Sequence, residues 1–134
     1  MRLKAWLLKA EILETLLYGC VMWSPKPAGY DRLRKVHHKP LLRCLGWRKR
    51  KREHHTLSYA NALVKADSES IEAAVRRRRV LFAGFAARIG EERQPRRVMF
   101  GEMVGGKCYS FGHEKDWMGR LEEDLTEFGI ESEG

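Results

Sequence analysis

The chain has 134 residues, of which 43% are hydrophobic and 33% charged, and its formal net charge is +8. This length suits one domain or two small helical lobes with a modest core. Residues 1–52 hold 14 Lys and Arg against 3 Asp and Glu, whereas residues 101–134 hold 3 against 9. A basic front predicts a polyanionic partner. Nucleic acid is the commonest such partner, and an anionic membrane surface is the alternative.

Cysteine usage and hydropathy indicate the cellular compartment and the relation of the chain to membranes. The three cysteines, Cys20, Cys44 and Cys108, are odd in number and far apart, which disfavours a disulfide framework and favours a reducing, intracellular location. Between Glu14 and Lys26 only 11 residues are uncharged, and a membrane-spanning helix needs about 20. We therefore expect a buried helix in this region and no membrane partner. No signal peptide is expected, because Lys9, Glu11 and Glu14 interrupt the apolar residues near the N-terminus.

The first half of the chain predicts two helices. Apolar residues from Leu3 to Cys20 recur at three- and four-residue steps, which indicates a helix of about 20 residues that Pro25 ends. A second helix is expected from about Tyr30 to Leu45, with a kink or break near His38 and Lys39 because Pro40 follows them, and a stop at Gly46. No strand pattern is convincing.

The second half of the chain continues this helical pattern. Residues 47–55 have no apolar periodicity and indicate an exposed basic loop, after which a short helix is expected over Thr56–Lys65. Residues 67–70 are a cap cluster that opens a long helix to about Ile89. One or two helical turns over 96–104, a glycine-containing loop and an amphipathic acidic helix over 113–128 follow, and Gly129 with Ile130 suits a C-cap.

Four consecutive arginines, Arg76 to Arg79, occupy the long helix, where successive residues turn by about 100°. They therefore fan around the helix and cannot all face one partner. Relative to the apolar stripe, Arg76 and Arg77 lie away from the core, Arg78 falls within the stripe and Arg79 lies at its edge. We expect a buried ion pair for Arg78 and phosphate contact for Arg79, while a solvated charge run stays open for Arg76 and Arg77. The stripe is defined by Ile71, Val75, Phe82, Phe85, Ala86 and Ile89.

A run of five basic residues follows Trp47, which is itself more typical of a core anchor than of a stacking platform. Such a run can neutralise phosphates, and a nuclear localisation signal is the alternative. Phosphate contact is favoured because further cations precede the run in the same lobe. The run is Arg48, Lys49, Arg50, Lys51 and Arg52, and the preceding cations are Arg32, Arg34, Lys35, Lys39 and Arg43.

Metal and catalytic signatures are weak. The pairs His37–His38 and His54–His55 lack zinc-ligand spacing, so we expect partly exposed polar residues on a basic surface and no metal. The acidic run Glu122–Asp124 is expected to be a solvated face. Neither a nucleophile signature nor a phosphate-binding glycine loop is recognisable, so we predict no catalytic residue and no cofactor.

Five phrases succeed one another along the chain: LLYGCVMW at 16–23, LLRCLGW at 41–47, RRVLFAGFAARI at 78–89, RQPRRVMFG at 93–101 and WMGRLEEDLTEFGI at 117–130. In this order they resemble the region downstream of the catalytic palm in non-long-terminal-repeat (LINE-type) retrotransposon reverse transcriptases. The resemblance spans nearly the whole chain. The chain departs from the family at Val21, where glutamate is frequent, at Phe85, where histidine is frequent, and near Gly112, where a glycine-arginine-proline phrase is frequent.

The resemblance implies an all-α fragment, in which a small thumb-like helical bundle is followed by further amphipathic helices. The expected divisions are a thumb-like lobe at 1–46, a basic loop at 47–55, a helical linker region at 56–104, and a glycine-containing loop with an acidic helix at 105–134. In this interpretation Gly19 lets two helices approach closely, with Tyr18 and Trp23 filling the flanks. Because the palm aspartates that hold two metal ions are absent from the sequence, no catalysis is expected of this chain alone.

Phosphate-mediated binding of RNA, DNA or their hybrid without base specificity is the expected activity, and the missing polymerase palm is the expected packing partner. Three other interpretations stay open. They are a basic helical RNA-binding structural protein, a protein-interaction module whose acidic last helix docks on the basic front, and a decayed element without a selected function. The predicted contacts with nucleic acid are Arg43, Arg48, Lys49, Arg50, Lys51, Arg52, Arg76 and Arg79.

Overall fold

The computed structural model describes residues 2–23, 25–47, 57–100 and 117–130. Within these ranges the regular structure is helical and contains no strand, which confirms the all-α prediction. The chain divides into two compact units. Unit 1 comprises Met1–Cys20 and Pro25–Val75, and unit 2 comprises Val21–Ser24 and Arg76–Gly134. The predicted basic loop after Trp47 and the predicted glycine-containing loop lie outside the described residues.

The N-terminal helix changes its geometry along its length. Helix α1 (Arg2–Leu7) runs into a π-helical stretch (Leu8–Leu13) and then into the short helix α2 (Glu14–Leu16). A 3₁₀ turn over Cys20–Met22 follows. The helix therefore ends earlier than the predicted stop at Pro25.

The π-helical stretch also changes which residues of this helix are buried. Leu8 and Leu13 are both buried, and their five-residue separation matches the i→i+5 repeat of a π-helix. In the first turns, the members of the predicted apolar stripe are not buried: Leu3, Trp6 and Leu7 are exposed, Trp6 to 64%. A constant helical period cannot anticipate this change of register.

Gly19 does not serve close helix packing as predicted. Its φ of +70° lies in the left-handed region that favours glycine, and a Cβ placed there would meet nothing within 4 Å. Tyr18, which was expected to fill a flank, is 86% exposed. Gly19 is thus required by the turn that ends the helix.

Helix α3 (Pro27–Cys44) starts with proline in its first turn, where the missing N–H has no intrahelical partner. It runs uninterrupted through Pro40, so of the predicted kink or break the break is wrong. His37 and Leu41, on either side of Pro40 in the sequence, are fully buried, and tertiary packing of this kind outweighs a local breaker. The predicted stop is confirmed: Gly46 has φ +66°, and its N–H donates to the Arg43 carbonyl at 3.0 Å.

Helices α4 (Tyr59–Ala66) and α5 (Ile71–Arg88) both begin at serine caps. The Ser58 hydroxyl accepts from the Asn61 N–H at 3.3 Å, and the Ser70 hydroxyl accepts from the Ala73 N–H at 3.2 Å. The cap cluster predicted to open the long helix is thereby confirmed. The core of unit 1 contains Leu8, Leu41, Ala62 and Ala66, with Ile12, Leu42, Cys44, Leu45, Leu57, Tyr59 and Leu63 packed around them.

Helices α6 (Gln94–Phe100) and α7 (Trp117–Glu127) belong to unit 2. The Trp117 indole N–H donates to the Val21 carbonyl at 2.6 Å. The predicted glycine cap of α7 is confirmed, because Gly129 has φ +68° and the Ile130 N–H donates to the Leu125 carbonyl at 3.0 Å. Leu121 of α7 is buried, whereas Phe128, predicted on the same face, is exposed.

Replacing Pro40 should stabilise the protein. Pro40→Ala supplies an N–H that faces the Val36 carbonyl and removes a ring that crowds the preceding turn. We expect the free energy of unfolding in urea to rise by about 2 kcal/mol after allowance for the more flexible unfolded chain. The matched control is Pro27→Ala in the first turn, which should change stability by less than about 0.5 kcal/mol. Equal effects of the two substitutions would contradict this account of α3.

Candidate nucleic-acid interface

One side of α3 carries a row of cations. Arg32, Lys35, Lys39 and Arg43 follow one another at steps of three and four residues, and all four are exposed. At about 100° and 1.5 Å per residue, they fall within about 80° of the helix circumference and span about 16 Å along its axis. We call these four residues the α3 basic face. Val36, also exposed, lies on the same side.

The other side of α3 explains why these cations face outward. His37 and Leu41 are buried there, and Leu42 and Cys44 pack against the core of unit 1. This packing fixes the rotation of the helix about its axis. The charged positions are left to solvent.

Arg34, a neighbour of the α3 basic face, is neutralised by carboxylates of the chain. Arg34 donates to Asp31 at 2.9 Å and also forms an ion pair with Glu72. The hydrogen bond with Glu72, and the charges of Glu72 and Asp31, raise the pKa of the Arg34 guanidinium above its ordinary value. By contrast, within the described residues none of the four α3 basic-face side chains forms an ion pair with a carboxylate.

Of the predicted contacts, Arg43 lies on this face. The predicted contacts Arg48, Lys49, Arg50, Lys51 and Arg52 lie outside the described residues. Sequence reasoning used Arg32, Lys35 and Lys39 only as supporting charge and did not select them as contacts. Their spacing at i, i+3, i+7 and, with Arg43, i+11 was the signal that could have selected them, because it places all four on one side of a helix.

Arg79, predicted at the phosphate-contacting edge, is instead buried in unit 2. It is 1% exposed, forms an ion pair with Asp124, which is 3% exposed, and donates to the Trp23 carbonyl at 3.1 Å. The prediction is therefore wrong for Arg79, because its charge is neutralised inside the protein. It is also wrong for Asp124, which was expected on a solvated acidic run.

The errors for the arginines concern single positions of α5. Ile71, Val75 and Ala86 of the predicted apolar stripe are buried, but Phe85 is exposed, and Arg79 at the edge of the stripe is buried. Arg78, predicted to be buried, is only half-buried.

Arg76, another predicted contact, faces the same acidic helix. Its guanidinium lies 3.6 Å from Asp124 and forms an ion pair with Glu127. The side chain is about one-third exposed, so it is engaged by α7 without being enclosed. A phosphate at Arg76 would have to compete with two carboxylates.

Trp47 follows α3, and the Lys65 ammonium lies over its ring, 5.3 Å from the centroid. The ring is half-buried. A cation on that face of the indole competes with any base that would stack there. This arrangement favours the interpretation of Trp47 as an anchor of unit 1.

Of the two histidines of α3, His37 is not the partly exposed residue that was expected, whereas His38 is. His37 is fully buried and His38 half-buried, because both pack against Tyr59. The pair His54–His55 lies outside the described residues. Across the described ranges no group of three or more His, Cys, Asp or Glu side chains could hold a metal ion.

Two further findings concern the chain as a whole. Among the described helices, none has the length and apolar character needed to cross a bilayer. Comparison with protein-family models, with curated proteins and with solved structures gave no match.

Removing the charge of Asp124 should strongly destabilise unit 2. Asp124→Asn keeps the shape of the side chain but leaves the Arg79 cation buried without compensation. We expect the free energy of unfolding, measured by urea denaturation, to fall by about 3–5 kcal/mol. The control Glu127→Gln removes a more exposed partner of Arg76 and should cost less than about 1 kcal/mol. A small effect of Asp124→Asn would mean that the pair is not structurally important.

Proposed function

We propose that this chain is the thumb and downstream region of a LINE-type reverse transcriptase, which binds nucleic-acid phosphates without base specificity and has no catalysis of its own. The α3 basic face is the observation that carries the binding part of this proposal. The order of the five sequence phrases is what supports the family.

The electrostatic argument rests on uncompensated charge. Cations held close together on a rigid helix repel one another and gather counter-ions, and a phosphate backbone displaces those counter-ions with a gain in entropy. Arg34 and Arg79 do not contribute in the same way, because carboxylates of the chain already neutralise them. In the sequence, the five basic residues 48–52 follow Arg43 closely and extend the same charge.

The lack of base specificity follows from how the four side chains are held. Reading a base edge requires donors that are fixed in a bidentate geometry by supporting contacts. The α3 basic face consists of exposed side chains that no carboxylate of the described residues holds in an ion pair, and two of the four are lysines, which act as point charges. Such groups suit phosphates, which position a protein without specifying sequence.

The exposed apolar residues of α1 support the fragment part of the proposal. Leu3, Trp6 and Leu7 lie at i, i+3 and i+4 and are all exposed. An apolar helical face of this kind is normally covered by another protein surface. A polymerase palm, which the chain does not contain, is the covering surface that the family resemblance implies.

A basic RNA-binding structural protein would use the same α3 basic face, so binding alone does not separate it from the polymerase fragment. The coding sequence upstream of Met1 separates them, since a palm in the same reading frame would support the polymerase origin. Another interpretation is a protein-interaction module in which the acidic last helix docks on the basic front. The contacts of α7 disfavour it. Asp124 and Glu127 there are already engaged by arginines of α5.

Loss of cations from α3 should lower both affinity and its salt dependence. For Lys39→Gln/Arg43→Gln, we expect the slope of log K against log salt to become shallower by about 1.4–1.8, and affinity at 0.1 M salt to fall roughly tenfold or more. Fluorescence anisotropy with mixed-sequence RNA, DNA and RNA–DNA hybrid measures both quantities.

The control for this experiment is Arg88→Gln/Arg97→Gln, which removes the same charge from exposed positions in unit 2. We expect this variant to retain most of the slope. Equal losses in the two variants would show that binding depends on net charge and not on α3. A wild-type protein whose affinity does not change with salt would overturn the proposed function.

A further inference from the structure

The hydroxyl of Tyr59 joins three helices of unit 1. Tyr59 is the first residue of α4, and its hydroxyl oxygen accepts the N–H of Ile71, the first residue of α5, at 3.2 Å. The same hydroxyl lies 2.9 Å from Nδ1 of His37 in the middle of α3. One phenolic group therefore satisfies an orphan donor at a helix start and ties that start to α3.

Two consecutive histidines enclose the Tyr59 ring. His37 and His38 both meet it edge-on, with ring centroids 5.8 and 5.7 Å from that of Tyr59. Nε2 of His38 also lies 2.9 Å from the carbonyl oxygen of Leu57, to which it can only donate. The two histidines thus hold the residues on either side of Ser58, the cap of α4.

The hydrogen bonds around Tyr59 allow a neutral His37 that accepts at Nδ1. Because the Tyr59 oxygen accepts from Ile71, its own proton is free to donate to Nδ1 of His37, and in that arrangement the ring proton is on Nε2. His37 is 0% exposed, and its Nε2 has no hydrogen-bond partner within the described part of the chain. The arrangement is therefore suited to a neutral ring.

The surroundings disfavour an imidazolium at this position. The titratable and charged groups facing the junction are His38 and Arg34 from α3, Tyr59 from α4 and Glu72 from α5. Glu72 is already engaged by Arg34, and no carboxylate contacts His37 in the described residues. Burial, and then the neighbouring His38, lower the pKa of His37 below its ordinary value.

Protonation would reverse the central hydrogen bond. A proton on Nδ1 turns that atom into a donor, so the Tyr59 oxygen would have to accept from both His37 and Ile71 and turn its own proton away. The added charge would also be buried beside other potential cations. We propose that His37 and Tyr59 form a proton-sensitive latch, which closes α3 onto the starts of α4 and α5 and opens when His37 is protonated.

The latch also regulates the proposed binding surface, an extension that rests on the proposed function. His37 and Lys39 are two positions apart, which places them about 160° apart around α3. The protonated group therefore lies behind the α3 basic face, on the side that packs into unit 1. Opening the latch releases α3 from the starts of α4 and α5 and so removes part of the packing that stabilises the helix on which the four cations lie.

The sign of the pH effect follows from the direction of the pKa shift. Below the ordinary histidine value of about 6.5, the unfolded or locally open chain binds a proton that the closed form excludes. The closed form therefore loses population as pH falls through the window between that value and the lowered pKa of His37. Each pH unit within that window costs up to about tenfold in the closed-to-open ratio.

The test uses the full chain and hydrogen exchange of the Ile71 amide, expressed as a protection factor that corrects for the intrinsic effect of pH. We expect protection in the wild type to fall up to about tenfold from pH 7.5 to pH 5.5. His37→Asn offers an acceptor near the position of Nδ1 that does not titrate, so its protection should stay constant. His38→Gln keeps a donor toward the Leu57 carbonyl and removes only the lesser cause of the lowered His37 pKa, so most of the wild-type fall should remain.

Unchanged protection in the wild type, or an undiminished fall in His37→Asn, would overturn the latch. If His37→Asn does not fold, Tyr59→Phe tests the latch in its place, because it removes the hydroxyl and keeps the ring. The latch predicts low Ile71 protection at both pH values in Tyr59→Phe, and a retained pH-dependent fall would overturn it.

The binding extension has a separate readout. At constant salt, the affinity of the wild type for mixed-sequence RNA, relative to that of His37→Asn, should fall several-fold at pH 5.5. A constant ratio with a working latch would overturn the extension and leave the latch standing. Absence of RNA binding at every pH would instead overturn the proposed function, because the exchange measurement contains no nucleic acid.

Discussion

The burial of one side of α3 is the constraint on which unit 1 depends. The helix carries mutually repelling cations on its outer side and a proline in its interior, and both disfavour a helix in isolation. Packing of His37, Leu41 and their neighbours against the core offsets both penalties. The same packing that stabilises the helix therefore determines which charges face solvent, so the fold and the candidate interface have one physical origin.

Arginines of this chain take opposite roles according to whether a carboxylate reaches them. Arg79 is buried in an ion pair with Asp124, and Arg76 also pairs with Asp124. Arg43 stays exposed. The residue type is the same in these cases. A basic run is consequently a weak guide to a binding surface until the positions of the acidic side chains are known.

Local features of the fold were predictable, and distant ones were not. The serine caps of α4 and α5 and the glycine stops at Gly46 and Gly129 depend on a few adjacent residues, so their chemistry is visible in the sequence. The Arg79–Asp124 pair joins residues 45 positions apart, and no local rule brings them together. The continuity of α3 through Pro40 likewise depends on tertiary packing. The spacing of the α3 cations was visible in the sequence, but only the packing of the helix shows that their side faces solvent.

The π-helical stretch Leu8–Leu13 rotates the side chains that precede it, about the helix axis, relative to those that follow it. A π turn accommodates one more residue than an α turn, so the residues before it are offset by about 100° from where an unbroken α-helix would place them. That offset directs Trp6 outward while Leu13 and Leu17 stay buried. A single inserted or deleted residue is thus enough to move an aromatic side chain between the interior and a recognition surface, with no change in amino-acid composition elsewhere in the helix.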